Sequence, residues 1–476
     1  MRIRTKLVAS VALAAVLSTA ALSTPGSAAT GHVNWPMYLY GTSHSSANPG
    51  ATAITTANAG TLHQAWSWQV PPPTKTGQPA AELLASPVVF NGVIYMATYS
   101  GLLVALDEAT GAVIWKRFVG FSDPVGHCPA RGFNATPAVA RDPVTNALTV
   151  YVAAGDGYLY AFSAAHGKRQ WRSLVELPST GDYNWSSPTV SGGYVYVGVS
   201  GSCIPDTVGG LRAYDQATGA PTGTYNSVPD GSFGGPIWTT AAAEGSDVWV
   251  TTGDAIDATS AALDGDSYSI VRLQAGTLAR EEGWEIPNLW PTDDDFGGSP
   301  TLFDATVDGS PQRMVGACNK NGVFYALEAL NLTAGPVWTK TIGVTAGKNL
   351  NQCQATAVWD SSTKRLFVGG NQTTINGKNF PGSVRAFNPN DGSVIWARGL
   401  KVGPVLGTPT LDGSGVLAVD TYDKQSTANG VYLVNPATGA ILTKIPTTTA
   451  VFAQPVFADG FLLVATSAGL LTAYTP

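Results

Sequence analysis

The sequence predicts an all-β fold, an eight-bladed β-propeller of four-stranded blades, on three observations. A unit recurs with roughly 47 to 59 residues between its tryptophan-type positions, and each copy holds four short alternating runs broken by Gly, Asn or Asp. Charged residues are only 12% of the chain while Gly numbers 54 and Pro 31, which suits strands joined by tight turns. The last unit stops one strand short, and a spare strand stands near the beginning. Four-stranded units repeated around a ring leave only short, protected sheet edges.

The units follow one another through the chain. Each reads as a small residue or Ser/Thr before Pro, a β run, a Gly turn, a second run, a Gly-x-Leu step, then Ala-aromatic/Leu-Asp-x-x-Thr-Gly and a Trp. The first has Ser86-Pro87, Val93-Ile94-Tyr95, Gly101-Leu102, Ala105-Leu106-Asp107, Thr110-Gly111 and Trp115. The second runs from Thr136-Pro137 to Trp171, and the third from Ser187-Pro188 to Tyr225 in the Trp place. The fourth is looser, with Val248-Trp249-Val250, Ile270-Val271-Arg272-Leu273 and Trp284. The fifth runs from Ser299-Pro300 to Trp338, the sixth contains Leu366-Phe367-Val368 and Trp396, and the seventh Thr408-Pro409 and Thr438-Gly439. The eighth begins at Gln454-Pro455 and stops at Ala473-Tyr474. Leu62-His63-Gln64-Ala65-Trp66 is expected to supply its fourth strand. The recurrent Thr-Gly reads as the turn before the outermost strand, and the Trp as packing between blades.

Residues 1–29 read as a secretory signal peptide. Arg2, Arg4 and Lys6 precede an uncharged apolar run from Leu7 to Leu22, and Ser27-Ala28-Ala29 offers a cleavage site near Ala28 or Ala29. No segment reaches the roughly 18 apolar residues of a membrane span. The expectation is an exported protein whose residues 30–476 form a single domain. Lys and Arg number 26 against 32 Asp and Glu; without the three basic residues of the leader the balance is about −9, which argues against nucleic acid or anionic membrane as partner. Four cysteines in an exported chain invite disulfides, and their places beside neighbouring blades predict Cys128–Cys203 and Cys318–Cys353. There is no Cys-x-x-Cys-His, hence no covalent haem site in this sequence, and no zinc spacing.

One stretch departs from the repeat. Gly234-Gly235-Pro236-Ile237-Trp238 is followed by Thr252-Gly253-Asp254 and then by Asp293-Asp294-Asp295-Phe296-Gly297-Gly298. Within it lie a large ring, an isolated carboxylate and a cluster of three more. A turn or inter-blade role is the plain reading of each residue; their order and spacing together point to chemistry.

With these repeats, the opening Asn34-Trp35-Pro36-Met37-Tyr38 and Asn58-Ala59-Gly60-Thr61-Leu62, the chain resembles the pyrroloquinoline quinone (PQQ) dependent alcohol dehydrogenases, polyvinyl-alcohol dehydrogenases among them, without a cytochrome c segment. The resemblance implies that Trp238 lies under the quinone ring, that Asp254 stands where the family has an Asn ligand to calcium, and that Asp295 also reaches the ion. It implies Asp295 as general base, taking the alcohol proton while hydride passes to the quinone C5 carbon and the ion polarises the C5 carbonyl. Lys320 of Lys320-Asn321-Gly322 is similar to the basic residue on the quinone oxygens. Arg131 and a hydroxyl from Ser186 or Ser187 suggest contacts to PQQ carboxylates. Two departures stand out: Ser200-Gly201-Ser202-Cys203 puts Cys203 where the family has a Glu on the metal, and the family's adjacent-cysteine disulfide is absent.

The implied function is oxidation of an alcohol, polymeric alcohols included, with PQQ and Ca2+ or a similar divalent or trivalent ion as cofactors and an external electron acceptor. The alternative is a cofactor-free propeller that binds a protein or glycan partner and has lost the metal site. A third reading, a glycan-cleaving propeller using carboxylates of the Asp293 to Asp295 loop, requires two carboxyl groups ~5–9 Å apart across a cleft.

Overall fold

The computed structural model describes residues 31–126, 128–177, 183–201, 207–256, 261–289, 293–343 and 353–476. Residues His32–Pro476 form one compact unit. The predicted signal peptide and Cys203 lie outside the described residues.

Eight antiparallel sheets of four blade strands follow one another as expected. In blade 1 the strands are Val88–Phe90, Val93–Ala97, Leu102–Asp107 and Val113–Phe118, counted outward from the axis. Blade 4 comprises Ala242–Glu244, Asp247–Thr251, Ser269–Gln274 and Arg280–Glu285, and blade 5 comprises Thr301–Val307, Ser310–Cys318, Val323–Glu328 and Pro336–Thr341. Second strands such as Val93–Ala97 are buried almost throughout, while outer strands such as Val113–Phe118 bury only Trp115. This follows from position: an inner strand has a neighbouring blade on both faces, so both faces select apolar residues. Among the described residues the core accordingly comprises eight apolar layers, one at each seam between adjacent blades, and a small ninth cluster of Ala255 and Tyr268.

The ring closes as predicted. His63–Gln69 pairs antiparallel with Leu470–Thr475 and completes blade 8. The Thr-Gly and Trp positions explain one another. Trp66, Trp115, Trp338 and Trp396 each lie across a glycine of the next blade, so that a Cβ on Gly111, Gly167, Gly392 or Gly439 would meet the indole at 2.5, 2.7, 2.5 and 2.5 Å. Each indole N–H also donates to a carbonyl of the neighbouring blade, as Trp115 does to Ala164 at 2.8 Å. The repeat therefore preserves a contact between blades as well as a turn.

Two axial features complete the ring. The hydroxyl before each blade's first strand accepts the backbone N–H of its counterpart one blade earlier: Thr136 from Ser86, Ser187 from Thr136, Thr240 from Ser187, Ser299 from Thr240, Thr356 from Ser299 and Thr408 from Thr356, at 2.8 to 3.3 Å. Ser86 in turn accepts from Gln454 at 2.8 Å. The N-terminal segment then crosses the ring. Trp35 pairs with Val89 of blade 1, and carbonyls of Pro36, Thr42, Ser43, Ser45 and Ser46 accept N–H groups from the innermost strands of blades 2, 4, 5, 6 and 7. Leu39, Tyr40, His44 and Ser46 all take positive φ, which lets the segment curl tightly enough to reach blade after blade.

The Cys318–Cys353 disulfide forms as predicted, joining the second strand of blade 5 to the entry of blade 6 with Cα atoms 5.1 Å apart.

Candidate cofactor and metal site

Topology already gathers the predicted residues. In every blade the turn between second and third strands, and the loop leading to the next blade, open on the same face. Asp254 and Lys320 lie in second-to-third turns of blades 4 and 5; Arg131, Ser187, Trp238 and Asp295 lie in loops entering blades 2, 3, 4 and 5.

Side-chain contacts join them further. Arg131 stacks on the Tyr183 ring with its guanidinium carbon 3.9 Å from the centroid. Tyr183 meets Trp185 at 6.4 Å, and Trp185 stands edge-on to Trp238 at 6.3 Å. The Lys320 ammonium is 5.6 Å from the Trp238 centroid and pairs with Asp293 at 2.7 Å and with Asp295. Asp295 Oδ1 accepts the Asp254 backbone N–H at 2.6 Å. A Cβ on Gly253 would fall 2.5 Å from that same oxygen, so glycine is required for the carboxylate to approach.

The electrostatics divide the carboxyl groups. Burial, and then the Asp295 carboxylate beside it, push the Asp254 carboxyl up to about 9. Burial alone would raise Asp295, which is 6% exposed, but the Lys320 ammonium and the donors from Asp254 outweigh it and hold it below the usual carboxylate range. At neutral pH Asp254 is therefore protonated and Asp295 ionised, an arrangement in which Asp295 can accept a proton.

Asp254, Asp293 and Asp295 bring ligand oxygens within 4.8 Å of one another, a hard-oxygen set that suits calcium or a similar cation. The same closeness does not match the wider carboxyl separation of the glycan-cleaving reading, and Lys320 stands between two of the three. The Cys203 position lies outside the described residues, and its predicted partner Cys128 is buried.

Ser186 and Ser187 are both buried, and both hydroxyls already accept backbone N–H groups, from Gly198 and Thr136. Each keeps its own proton to donate.

An axial cavity of about 60 Å³ is lined by Ser187, Trp185, Trp238, Phe452, Asn134 and Gln354, among others. It has room for a few waters, well below the ~300 Å³ at which small-molecule pockets begin. Asn134 Nδ2 and Oδ1, Trp185 Nε1 and Gln354 Oε1, on residues that line the cavity, have no hydrogen-bond partner, nor do Arg131 Nε and Asn184 Oδ1. The N–H donors among them, Arg131 Nε, Asn134 Nδ2 and Trp185 Nε1, can meet carbonyl or carboxylate oxygens of a ligand, while the three amide oxygens call for donors. Sequence reasoning missed Trp185, Tyr183, Phe452 and Gln354; their one signal is aromatic or amide character in inter-blade loops, away from the repeat positions.

Residues 35–259 match the glucose/ethanol/alcohol dehydrogenase β-propeller domain family, and residues 381–476 match the outer membrane protein assembly factor BamB family. Quinohemoprotein alcohol dehydrogenase ADH-IIG of Pseudomonas putida is 24% identical over 66% of this chain and 48% of its own length. The chain is an eight-bladed β-propeller similar to the quinoprotein alcohol dehydrogenases. Among solved structures, this quinoprotein-like propeller is similar to quinohemoprotein alcohol dehydrogenase from Comamonas testosteroni, with a TM-score of 0.74 and 19% identity over 93% of this chain and 80% of that one. A europium-containing methanol dehydrogenase gives 0.75 and 16% over 94% and 99%. The quinoprotein-like chain spans less than half the length of the first curated relatives it matches, at 48, 40 and 42%.

Proposed function

We propose that this chain is a secreted quinoprotein oxidoreductase that oxidises an alcohol, with Asp295 as the general base. The observation that supports this best is the continuous contact path from Arg131 through Tyr183, Trp185, Trp238 and Lys320 to Asp295 and Asp254. In this reading Trp238 presents a face for a planar ring, and Arg131 with the Ser186 and Ser187 hydroxyls meets its carboxylates. Asp254 and Asp295 hold a calcium or similar cation, with Asp254 giving up its proton on binding. PQQ held against Trp238 would supply a two-electron quinone acceptor for the alcohol's hydride, and a cation held by Asp254 and Asp295 would supply Lewis acidity. Asp295 takes the hydroxyl proton, and Lys320 keeps that carboxylate ionised beforehand. The electrons leave for an external acceptor. Export rests on the leader-like residues 1–29, and residues 30–476 are read as a single domain.

Purified protein incubated with PQQ and calcium, or with a lanthanide ion, tests the reading. Quinone absorbance that survives desalting, together with dye reduction on a panel of alcohols including polymeric ones, supports it; absence of both across metals and pH contradicts it. The second reading, a cofactor-free propeller binding a protein or glycan, is favoured by the edge-on placement of Trp185 against Trp238 and by the BamB-family match over residues 381–476. It predicts no retained quinone in the same experiment.

A further inference from the structure

A second cluster lies on the opposite face of the ring. Glu108 occupies the turn between the third and fourth strands of blade 1, and Asp459 the turn between the first and second strands of blade 8. His32, at the start of the described N-terminal segment, meets them there. Its Nδ1 is 2.6 Å from Asp459 Oδ2, and the Val33 N–H donates to Asp459 Oδ1. The His, Glu and Asp ligand atoms all lie within 4.8 Å of one another.

Glu108 is the unexplained member. It is 2% exposed, and neither carboxylate oxygen has a hydrogen-bond partner. Burial and the neighbouring Asp459 carboxylate push the Glu108 carboxyl up to about 9, so without an ion the pair holds a proton. A dication in place of that proton matches both carboxylates and fills the open coordination of the Glu108 oxygens. One imidazole with two carboxylates suits zinc or manganese rather than calcium, which prefers six to eight oxygen donors.

We propose that His32, Glu108 and Asp459 bind a divalent transition-metal ion, which ties the N-terminal segment to the seam where the first and last blades meet. The location gives the ion a structural role. The seam is closed by non-covalent contacts, including pairing of His63–Gln69 with Leu470–Thr475 and the Trp66 N–H to the Glu108 carbonyl at 2.9 Å. The ion adds bonds between three segments that are distant in sequence, the two ends of the ring and the strap that leads into it. The site shares no residue with the Asp254, Asp293 and Asp295 cluster.

Zinc is the probe. Full-length protein is stripped with chelator, titrated with zinc and followed by thermal unfolding and by metal content after desalting. The expected result is a Tm rise of several degrees with retained zinc. Glu108→Gln and His32→Ala each remove both effects and weaken zinc binding by more than about tenfold, since even second-shell losses cost that much. His32 is exposed, so its variant folds even if the buried Glu108 variant does not. Asp254→Asn leaves the effect in place. No Tm rise in the unsubstituted protein, a rise that survives both substitutions, or a rise removed by Asp254→Asn instead would overturn the assignment.

Discussion

The Lys320 ammonium, in the second-to-third turn of blade 5, is paired with the buried carboxylate of Asp295, in the loop that enters the same blade. Neither residue's charge is tolerable alone at that depth, so the pair fixes the ionisation of the candidate base before any substrate arrives.

Removing the cation exposes that dependence. Lys320→Met leaves Asp295 buried and uncompensated and is expected to lower stability by about 3–5 kcal/mol. The double variant with Asp295→Asn recovers most of the loss in urea titrations. Equal, additive losses from the two substitutions would mean that the pair is not coupled.

The contact between each Trp and the next blade's glycine gives a second test. Gly392→Ala places a Cβ 2.5 Å from the Trp338 ring at a φ of 64°, so it adds a clash to a strained conformation. A loss of roughly 2–3 kcal/mol is expected, with about 1 kcal/mol of it remaining in a Trp338→Ala background because the backbone strain persists.

Stability should fall in mild acid because of His44. It is fully buried in the strap, its Nδ1 donating to the Pro300 carbonyl at 2.7 Å, and burial lowers its pKa to about 4. The unfolded chain takes up this proton at its ordinary value of 6.5, so between pH 6.5 and 4 the unfolded state binds more protons. The contribution is present above pH 6.5 and is lost as pH falls towards 4, to a total of about 3 kcal/mol. His44→Gln should flatten that part of the stability profile, and an unchanged profile would contradict the assignment.

The repeat made the ring legible because four-stranded units, a missing strand and a spare one admit few other closures, and the Cys318–Cys353 bridge followed from adjacency of blades. The candidate site was legible through residues that break the repeat, Trp238, Asp254 and Asp295 above all. Other features were not. The Ser/Thr before Pro was visible as a repeat position, but its axial hydrogen bonds pass between residues some fifty positions apart and leave no local pattern. The strap was hidden because Leu39 to Ser46 bind through backbone carbonyls, which any sequence possesses. His32 and Asp459 stand 427 residues apart, so no ligand spacing could reveal that cluster.

Trp238 tests the cofactor face separately from the chemistry. Trp238→Ala should cost cofactor affinity about tenfold or more while Trp238→Phe keeps most of it, since a stacked aromatic pair contributes about 1 kcal/mol beyond its buried area. Equilibrium titration of PQQ into each variant measures this, and equal affinities would remove Trp238 from the site.

The most direct measurement is PQQ retention and dye-linked alcohol oxidation in the Asp295→Asn variant beside the unsubstituted protein. PQQ with added calcium or lanthanide is expected to survive desalting in both, while turnover falls by roughly 10²–10⁴-fold in the variant for want of a general base. Turnover that persists in Asp295→Asn, or PQQ that is retained by neither protein, would contradict it.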